Sequence, residues 1–312
     1  MARTGRPQRE LVVRAPAKVN LYLELLRKRP DGYHDIRTVM QAVSLYDELT
    51  LRPAPRGRLL LECVGGQLPT GDTNLVLRTA RRMEARCAPD AGADIRLVKG
   101  IPVGGGLGGG SSDAALTLLA LKRLWNLDVD AADLAAWAAE LGSDVPFFLR
   151  GGTALCEGRG ERITPIACPR PMHYVLVMPG WPIPTAGVYA AARPLTDRTS
   201  GSNNTVRALG DGDAGRLASA LRNDLQDAAL RLNPPLQTVW EQLLGCAASC
   251  GLEGAVLSGS GASFLGVARG ALEARQAVGR LTSKLGIPCA AVMSLPSWSC
   301  DLSGLTGRRR LR

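Results

Sequence analysis

Hydrophobic and polar positions change period several times along this chain, and the changes divide it into elements. From residue 10 to 63 the apolar positions alternate or run in short β-branched stretches cut by proline and glycine. Leu11 to Val13, Val19 to Leu25, Asp35 to Leu45, Glu48 to Leu51 and Leu59 to Glu62 are predicted strands. A helical period takes over from Asn74 to Arg86. Alternation returns in Asp94-Ile95-Arg96-Leu97-Val98, within a strand predicted over 93–99. After a run of glycines, Ala115, Leu118, Leu119 and Leu124 recur at helical spacing, giving a helix over 112–125. Asp130 is a good N-cap for the next helix, with Asp133 in its first turn and Gly142 as its C′ residue. Short strands are expected over 152–166.

Composition shifts at Cys168-Pro169-Arg170-Pro171, the expected boundary between a domain of residues 1–168 and one of 169–312. Beyond it the pattern predicts a strand over His173 to Met178, a polar mobile loop over 195–212, and helices over 213–221, 224–232 and 235–250, the last closed by Gly251. Strands over 255–257 and 264–267 flank Ser258-Gly259-Ser260-Gly261, and a helix over 270–285 and a strand over 288–294 follow. No internal repeat is visible. Strands and helices mix without strict βα alternation, which favours an α+β fold over a doubly wound dinucleotide fold.

The glycine run joins a strand to a helix: Lys99-Gly100-Ile101-Pro102-Val103-Gly104-Gly105-Gly106-Leu107-Gly108-Gly109-Gly110-Ser111-Ser112-Asp113. Glycine lets the backbone approach a ligand closely and adopt positive φ. The free N–H groups and positive dipole end of the helix that follows favour an anion, most naturally a phosphate chain. A flexible linker would not have such ordered flanks. The run formally satisfies G-x-G-x-x-G, as almost any glycine run does, and it is no P-loop, because no Gly-Lys-Ser/Thr closes it.

Composition narrows the function. Of 312 residues, 46% are hydrophobic, enough for a sizeable core in one large or two ordinary domains. No apolar run approaches the roughly 20 residues of a membrane span. The first residues lack an apolar signal segment, so a cytoplasmic protein is expected. Eight cysteines sit at irregular spacings and only Cys246 and Cys250 form a local pair, which predicts reduced thiols rather than a zinc site. The formal charge of +10 raises nucleic acid as a partner, but the basic residues are scattered, and the one dense cluster is Arg308-Arg309-Arg310-Leu311-Arg312. No nucleic acid and no membrane are therefore expected as partners, and the basic balance suits an anionic small molecule.

Two further segments carry candidate chemistry. In Ala15-Pro16-Ala17-Lys18-Val19-Asn20-Leu21 a lysine interrupts an apolar strand, in a chain with five lysines. On pattern alone it is either a strand-edge lysine reaching water or a functional cation. In Gly142-Ser143-Asp144-Val145-Pro146-Phe147-Phe148 the aspartate is either a turn residue or a carboxylate set for chemistry, before a Val-Pro pair expected to be extended.

Together with the glycine run, these segments resemble the motifs of the GHMP kinases, small-molecule kinases that include galactokinase, homoserine kinase and mevalonate kinase. Pro16-Ala17-Lys18-Val19-Asn20-Leu21 is similar to their first motif and Pro102 to Ser112 to their second. Leu257-Ser258-Gly259-Ser260-Gly261-Ala262-Ser263-Phe264, otherwise readable as a hairpin turn, is similar to their third. The motifs follow family order from residue 16 to residue 264. The resemblance implies a two-domain architecture, with a ribosomal-S5-like N-terminal domain, a ferredoxin-like C-terminal domain and the site in the cleft. It implies ATP, accompanied by Mg²⁺ but with no dedicated protein metal site, bound by Asn74, Lys99, Pro102, Gly104, Gly105, Gly106, Leu107, Gly108, Gly109, Gly110, Ser111 and Ser112. It implies Lys18 and Asp144 as the catalytic pair, Asp144 taking the proton of an alcohol.

Arg29-Pro30-Asp31-Gly32-Tyr33-His34 reads by itself as a β-turn. Asp-Gly-Tyr-His at this distance from the first motif resembles one branch of the family, whose substrate is a cytidine-diphosphate-linked methylerythritol. There the resemblance implies that Tyr33 stacks on the cytosine with Tyr189 opposite, and that His34 reads the edge of the base. It implies further substrate contacts from Asn20, Thr185, Gly259, Ser260 and Gly261. Asn223-Asp224-Leu225 resembles another family element, whose role stays open. Another small-molecule kinase of the family, or a non-catalytic nucleotide- or RNA-binding protein, remain the alternatives.

Overall fold

The computed structural model describes residues 10–65, 68–193 and 201–296. The chain begins as a long antiparallel hairpin, β1 (Leu11–Lys28) and β2 (His34–Ala54). These two strands absorb four of the five expected ones. Pro16 and Asp47 do not break them, because the pairing accommodates the proline at a register shift between Pro16 and Ala17. That shift has a consequence for the site. Leu11, Val13 and Ala15 belong to the core beneath the helices, whereas Ala17, Val19 and Leu21 belong to the core between the two sheets. The intervening Lys18 and Asn20 thereby turn toward the glycine run.

Next come β3 (Leu59–Val64), α1 (Leu75–Cys87), β4 (Gly92–Val98), α2 (Gly109–Leu124) and α3 (Ala131–Leu141). Asp130 caps α3 through the Asp133 N–H, as expected; Gly142 ends it in extended backbone at φ 172°, not as a left-handed C′ residue. Val145–Arg150 forms a short helix, α4, where an extended Val-Pro pair was expected. Pro146 lies in its first turn, where the missing N–H has no helical partner to lose, and Val145, Phe147 and Phe148 are buried in the core that α2 also lines. Strands β5 (Thr153–Gly158) and β6 (Arg162–Pro165) follow.

The first sheet runs β3-β4-β2-β1-β8, with β5 paired to β2 and β6 to β5. Its strand β8 (Arg222–Asn223) comes from beyond the expected boundary at residue 168, which falls in irregular chain between β6 and β7 (His173–Val177). The second sheet has the order β11-β7-β10-β9, with every neighbouring pair antiparallel, from β9 (Leu252–Leu257), β10 (Phe264–Ala268) and β11 (Cys289–Met293). The helices of this half are α5 (Thr185–Ala191), α6 (Gly201–Asp211), α7 (Ala214–Ser219), α8 (Gln226–Leu232), α9 (Pro234–Cys250) and α10 (Ala271–Leu285). Helix α6 lies where a loop was expected over 195–212. Its polar composition hides Ser202, Thr205, Ala208 and Leu209, which are buried, and Thr205 donates to the Ala220 carbonyl. Residues 195–200 of that loop, and the Arg308–Arg312 cluster, lie outside the described residues.

Three cores stack in sequence: one between α1–α4 and the first sheet, one between the two sheets, and one between the second sheet and α8–α10. This is the mixed α/β, two-domain architecture expected. Among the described residues no helix is long and apolar enough to cross a membrane, and all seven described cysteines are free.

One buried contact ties the sheets together. Tyr174 on β7 donates its hydroxyl to Gln41 Oε1 on β2, and the Gln41 amide donates onward to Thr153 Oγ1 at 2.7 Å. Tyr174→Phe leaves the Gln41 carbonyl buried without that donor. It should lower unfolding free energy by about 1–3 kcal/mol, read as a shifted urea midpoint with an unchanged slope.

Candidate functional site

A cavity of about 950 Å³ opens between the glycine run, the β1–β2 hairpin end, α5 and the 258–263 turn. One wall is built from glycine. Gly104, Gly106 and Gly108 take φ of 70°, 74° and 70°, and Gly108 is the left-handed N-cap of α2, with no side chain capping it. A Cβ on Gly106 would stand 2.1 Å from the Ser258 carbonyl oxygen, and one on Gly108 2.9 Å from Lys18 Cγ. These glycines are thus required by the protein's own backbone contacts as well as by any ligand. Ser263 N–H donates to the Gly105 carbonyl at 3.1 Å, and Lys18 N–H donates to the Leu107 carbonyl at 2.9 Å. Gly109, Gly110 and Ser111, the first turn of α2, face the cavity, so their N–H groups and the helix dipole are offered to an anion. Pro102 and Leu107 line the same wall. Ser112, one residue further along α2, is fully buried and is not among the residues that line the cavity.

The start of this loop is held by a residue that the sequence pattern did not single out. Asp47 is fully buried in β2 and accepts the Gly100 and Ile101 N–H groups at 2.7 and 2.9 Å. It also accepts from Lys99 Nζ, which donates in addition to Asp113 Oδ2 at 2.8 Å. Lys99 lines the cavity, but its ammonium is already engaged by two carboxylates. Burial alone would pull Lys99 down; the facing Asp113 and Asp47 charges outweigh it and raise its pKa. Burial drives Asp113 the other way, pushing its carboxyl up to about 7 despite Lys99. Asn74 also lines the cavity while capping α1: its Oδ1 accepts from Val76 N–H and its amide donates to the Pro69 carbonyl. A buried acid mid-strand could have been suspected from Tyr46-Asp47-Glu48 interrupting an apolar run, though nothing in that pattern names its partners.

Lys18 and Asp144 meet at the centre of the cavity. Lys18 Nζ stands 3.5 Å from Asp144 Oδ2, with the lysine side chain 5% and the aspartate 31% exposed. The ammonium donates to Asn20 Oδ1 at 2.6 Å, Asn20 donates to Thr38 Oγ1, and Thr38 donates to the Tyr22 carbonyl. This relay fixes the direction of Lys18 from inside the sheet. Asp144, at the N-terminus of α4, keeps the solvent access a reacting hydroxyl would need.

The far end of the cavity holds Tyr33, His34 and Tyr189. Tyr33 and Tyr189, expected to face each other across a base, both line this end, and the His34 and Tyr189 rings lie 5.7 Å apart at 35°. The Tyr33 ring, 53% exposed, is faced by the Arg159 guanidinium, its Cζ 5.1 Å from the ring centroid. Tyr33 sits past the hairpin end while His34 already pairs in β2, so the two point differently. Burial first and the Lys28 charge second lower the His34 pKa, favouring a neutral ring that can donate from one nitrogen and accept at the other. Burial and the Asp144 charge raise the Tyr189 phenol. Thr185 Oγ1 lies 2.9 Å from Ser260 Oγ, and Gly259 and Ser260 line the cavity. Gly261 is not on its wall; a Cβ there would meet Leu257 and Ile183 in the core instead. Asn223 has a clear role: its amide donates to the Leu257 and Gly259 carbonyls at 2.8 and 2.7 Å, holding the turn. Asp224 accepts the Leu25 N–H at 2.9 Å and so fastens the end of β1.

The chain matches the family described as GHMP kinases N terminal domain over residues 74–152. It is 43% identical over 268 residues to the 4-diphosphocytidyl-2-C-methyl-D-erythritol kinase of Pelotomaculum thermopropionicum, covering 85% of this chain and 92% of that one. To the enzyme of the same name from Rhodococcus jostii it is 42% identical over 262 residues, 81% and 82% of the two chains. A crystal structure of 4-(cytidine 5'-diphospho)-2C-methyl-D-erythritol kinase superposes with a TM-score of 0.76 at 38% identity, covering 91% of this chain and 99% of that one. Homoserine kinase from Cytophaga hutchinsonii, at 20% identity and a TM-score of 0.73 over 95% and 98% of the chains, shares the fold.

The Asp113 carboxyl gives a signed pH prediction. Its pKa is raised by folding, so the native state binds its proton more tightly than the unfolded chain. The stabilisation this represents is complete below about pH 4 and fades as pH rises through about 7. In Asp113→Asn that fading should vanish: wild-type stability should fall relative to the variant between pH 4 and 7, measured by urea denaturation at each pH.

Proposed function

The chain belongs to the GHMP kinase family, and from that premise we propose that it transfers the terminal phosphoryl group of ATP to the 2-hydroxyl of 4-diphosphocytidyl-2-C-methyl-D-erythritol. The observation that carries this reading is the position of the Lys18–Asp144 pair. It stands between the glycine wall, suited to a triphosphate, and the Tyr33, His34 and Tyr189 end, suited to a pyrimidine. A substrate bridging the two ends would place its alcohol at the pair.

The triphosphate would lie against the first turn of α2, where unpaired N–H groups and the helix dipole stabilise negative charge. Glycine at 108 and 109 lets that turn sit against Lys18, Phe148, Ile101, Asp47 and Lys99, where a Cβ would crowd their side chains. Mg²⁺ would come with ATP and neutralise phosphate charge. Among the described residues no group of three His, Cys, Asp or Glu could hold a metal, while Ser111 and Asp144 supply cavity oxygens of the kind Mg²⁺ takes beside phosphates. Asp144 accepts the proton of the substrate hydroxyl as its oxygen attacks phosphorus. Lys18, aimed by Asn20 and Thr38, holds Asp144 in place and offers positive charge to the transferring group. Asn74, Lys99 and Asp47 support the nucleotide wall. Thr185, Ser260 and Gly259, which line the same cavity, would lie beside the acceptor. The reading implies a cytoplasmic biosynthetic enzyme with a small-molecule partner.

Two predictions test it. Asp144→Asn and Lys18→Ala should each keep ATP affinity while lowering kcat by roughly 10²–10⁴-fold; near-normal turnover of Asp144→Asn at saturating substrate would remove the proton-acceptor role.

At the base end, Tyr189→Ala should raise KM for the cytidylated alcohol by the equivalent of about 1–3 kcal/mol. His34→Ala should narrow the preference for cytidine over uridine, because an unmatched polar edge is what rejects the wrong base. Steady-state kinetics on both nucleotide forms would read both effects, and a His34→Ala enzyme with full cytidine preference would move base reading elsewhere.

A further inference from the structure

The cations around the cavity are not equivalent. Lys18 faces Asp144, and Lys99 is held between Asp47 and Asp113. Lys28 and Arg159 also line the cavity, at the Tyr33–His34 end, and neither forms an ion pair with a described residue. Asp31, the carboxylate that lines the same end, is held by Arg29, so unpaired positive charge is concentrated at the end assigned above to the nucleoside. A cytosine ring is neutral, so stacking and edge hydrogen bonds do not account for that charge. An anion there would.

Arg159 is the better placed of the two. Lys28 is an exposed side chain at the end of β1, whereas Arg159 is half-buried in the tight turn between β5 and β6. That turn is held closely. Gly158 and Gly160 take positive φ, the Arg159 N–H donates to Glu161 Oε2 at 2.6 Å, and the Gly160 N–H donates to the Glu157 carbonyl. Glu161 thus spends its carboxylate on the backbone of the turn. The same turn packs beside the reaction centre: a Cβ on Gly160 would lie 3.6 Å from the Ser143 carbonyl and 3.9 Å from Asp144 Oδ1. Arg159 therefore leaves the chain next to the residue carrying the proposed proton acceptor and reaches outward over the Tyr33 ring. A guanidinium lying over an aromatic face keeps its N–H donors in its own plane, free for a bidentate anion. The span between alcohol and cytosine in the proposed substrate is a diphosphate followed by a ribose.

We propose that Arg159 is a substrate-binding residue that grips the diphosphate of the cytidylated alcohol, with the Tyr33 ring as the platform that presents its guanidinium. This rests on the kinase reading above. It adds a specificity rule: the enzyme selects a nucleoside diphosphate ester over an uncharged or singly phosphorylated alcohol through this side chain, separately from the choice of base.

Calorimetry with cytidine and with cytidine 5'-diphosphate, and steady-state kinetics with the cytidylated alcohol, test it on the whole chain. Arg159→Ala should weaken cytidine diphosphate binding, and raise KM for the substrate, by roughly tenfold to a hundredfold, while cytidine affinity, kcat and KM for ATP change little. Arg159→Lys, which keeps the charge without the planar fork, should recover part of that loss. Wild-type affinity for cytidine diphosphate should fall more steeply with added KCl than that of Arg159→Ala. Equal loss of cytidine and cytidine diphosphate would overturn the proposal, since Arg159 would then act only by steadying Tyr33 for the base. Unchanged cytidine diphosphate affinity, or a lowered Tm together with a raised KM for ATP, would also overturn it. A wild-type chain that binds cytidine diphosphate but does not phosphorylate the alcohol would refute the kinase reading, and the two binding measurements would still decide Arg159.

Discussion

Everything at the cavity depends on how closely three stretches of backbone approach one another. The glycine run lies against β1 through the Lys18 N–H and the Leu107 carbonyl, and against the 258–263 turn through the Ser263 N–H and the Gly105 carbonyl. Gly106 has no room for a single carbon beside the Ser258 carbonyl. Backbone contact of this kind brings residues 18, 106 and 260 to one wall although they are far apart in sequence. A side chain at the seam would hold the second sheet away from the first and widen the cavity between the Lys18–Asp144 pair and Thr185. The geometry is fixed further from outside by Asn223, which ties down the turn, and by Asp47, which ties down the start of the run.

Charge is distributed along the cavity in three stages. At the nucleotide wall Lys99 is buried between two carboxylates, so this lysine contributes rigidity more than free positive charge. At the centre Lys18 and Asp144 form a half-open pair, one partner locked by hydrogen bonds and the other reached by solvent. At the outer end Lys28 and Arg159 face the cavity without carboxylate partners among the described residues. On the proposed reading, an anionic ligand would meet backbone N–H groups at one end and a guanidinium at the other, with the Lys18–Asp144 pair between them. On that reading, the free N–H groups of the helix start would take the place that a P-loop lysine fills in other phosphate sites.

Much of this was legible in the sequence. The alternation of residues 94–98, the glycine run and the helical spacing after it locate the strand, turn and helix N-terminus of the phosphate wall, because local periodicity and the steric freedom of glycine operate within a few residues. The order of the three motifs and the Asp-Gly-Tyr-His turn pointed to the family and to its substrate class, and the cavity gathers nearly all of the residues they named. What local pattern could not supply are the partners. Nothing near Asp47 says that it will meet Lys99, residue 100 and residue 101, since that contact exists only once β2 pairs with β4. Nothing near Tyr33 says that Arg159, on a turn formed by strands that pair much later in the chain, will cover its ring.

The same division explains the misplaced elements. Pro16 was read as a break, Val145-Pro146 as an extended pair and 195–212 as a loop, yet β1 runs through the first, α4 starts at the second and α6 occupies the third from residue 201 onward. In each case burial against another element outweighs a local preference of a kilocalorie or so per mole, on the order of intrinsic propensity differences. The sequence by itself determined the α+β class, the glycine turn at a helix N-terminus, and Lys18 and Asp144 as the pair proposed here to react. Only the tertiary structure decided which face of β1 Lys18 would occupy, by the shift at Pro16, and which of the cavity's cations would be neutralised. Those outcomes follow from strand register and the meeting of remote carboxylates, which no short-range pattern encodes.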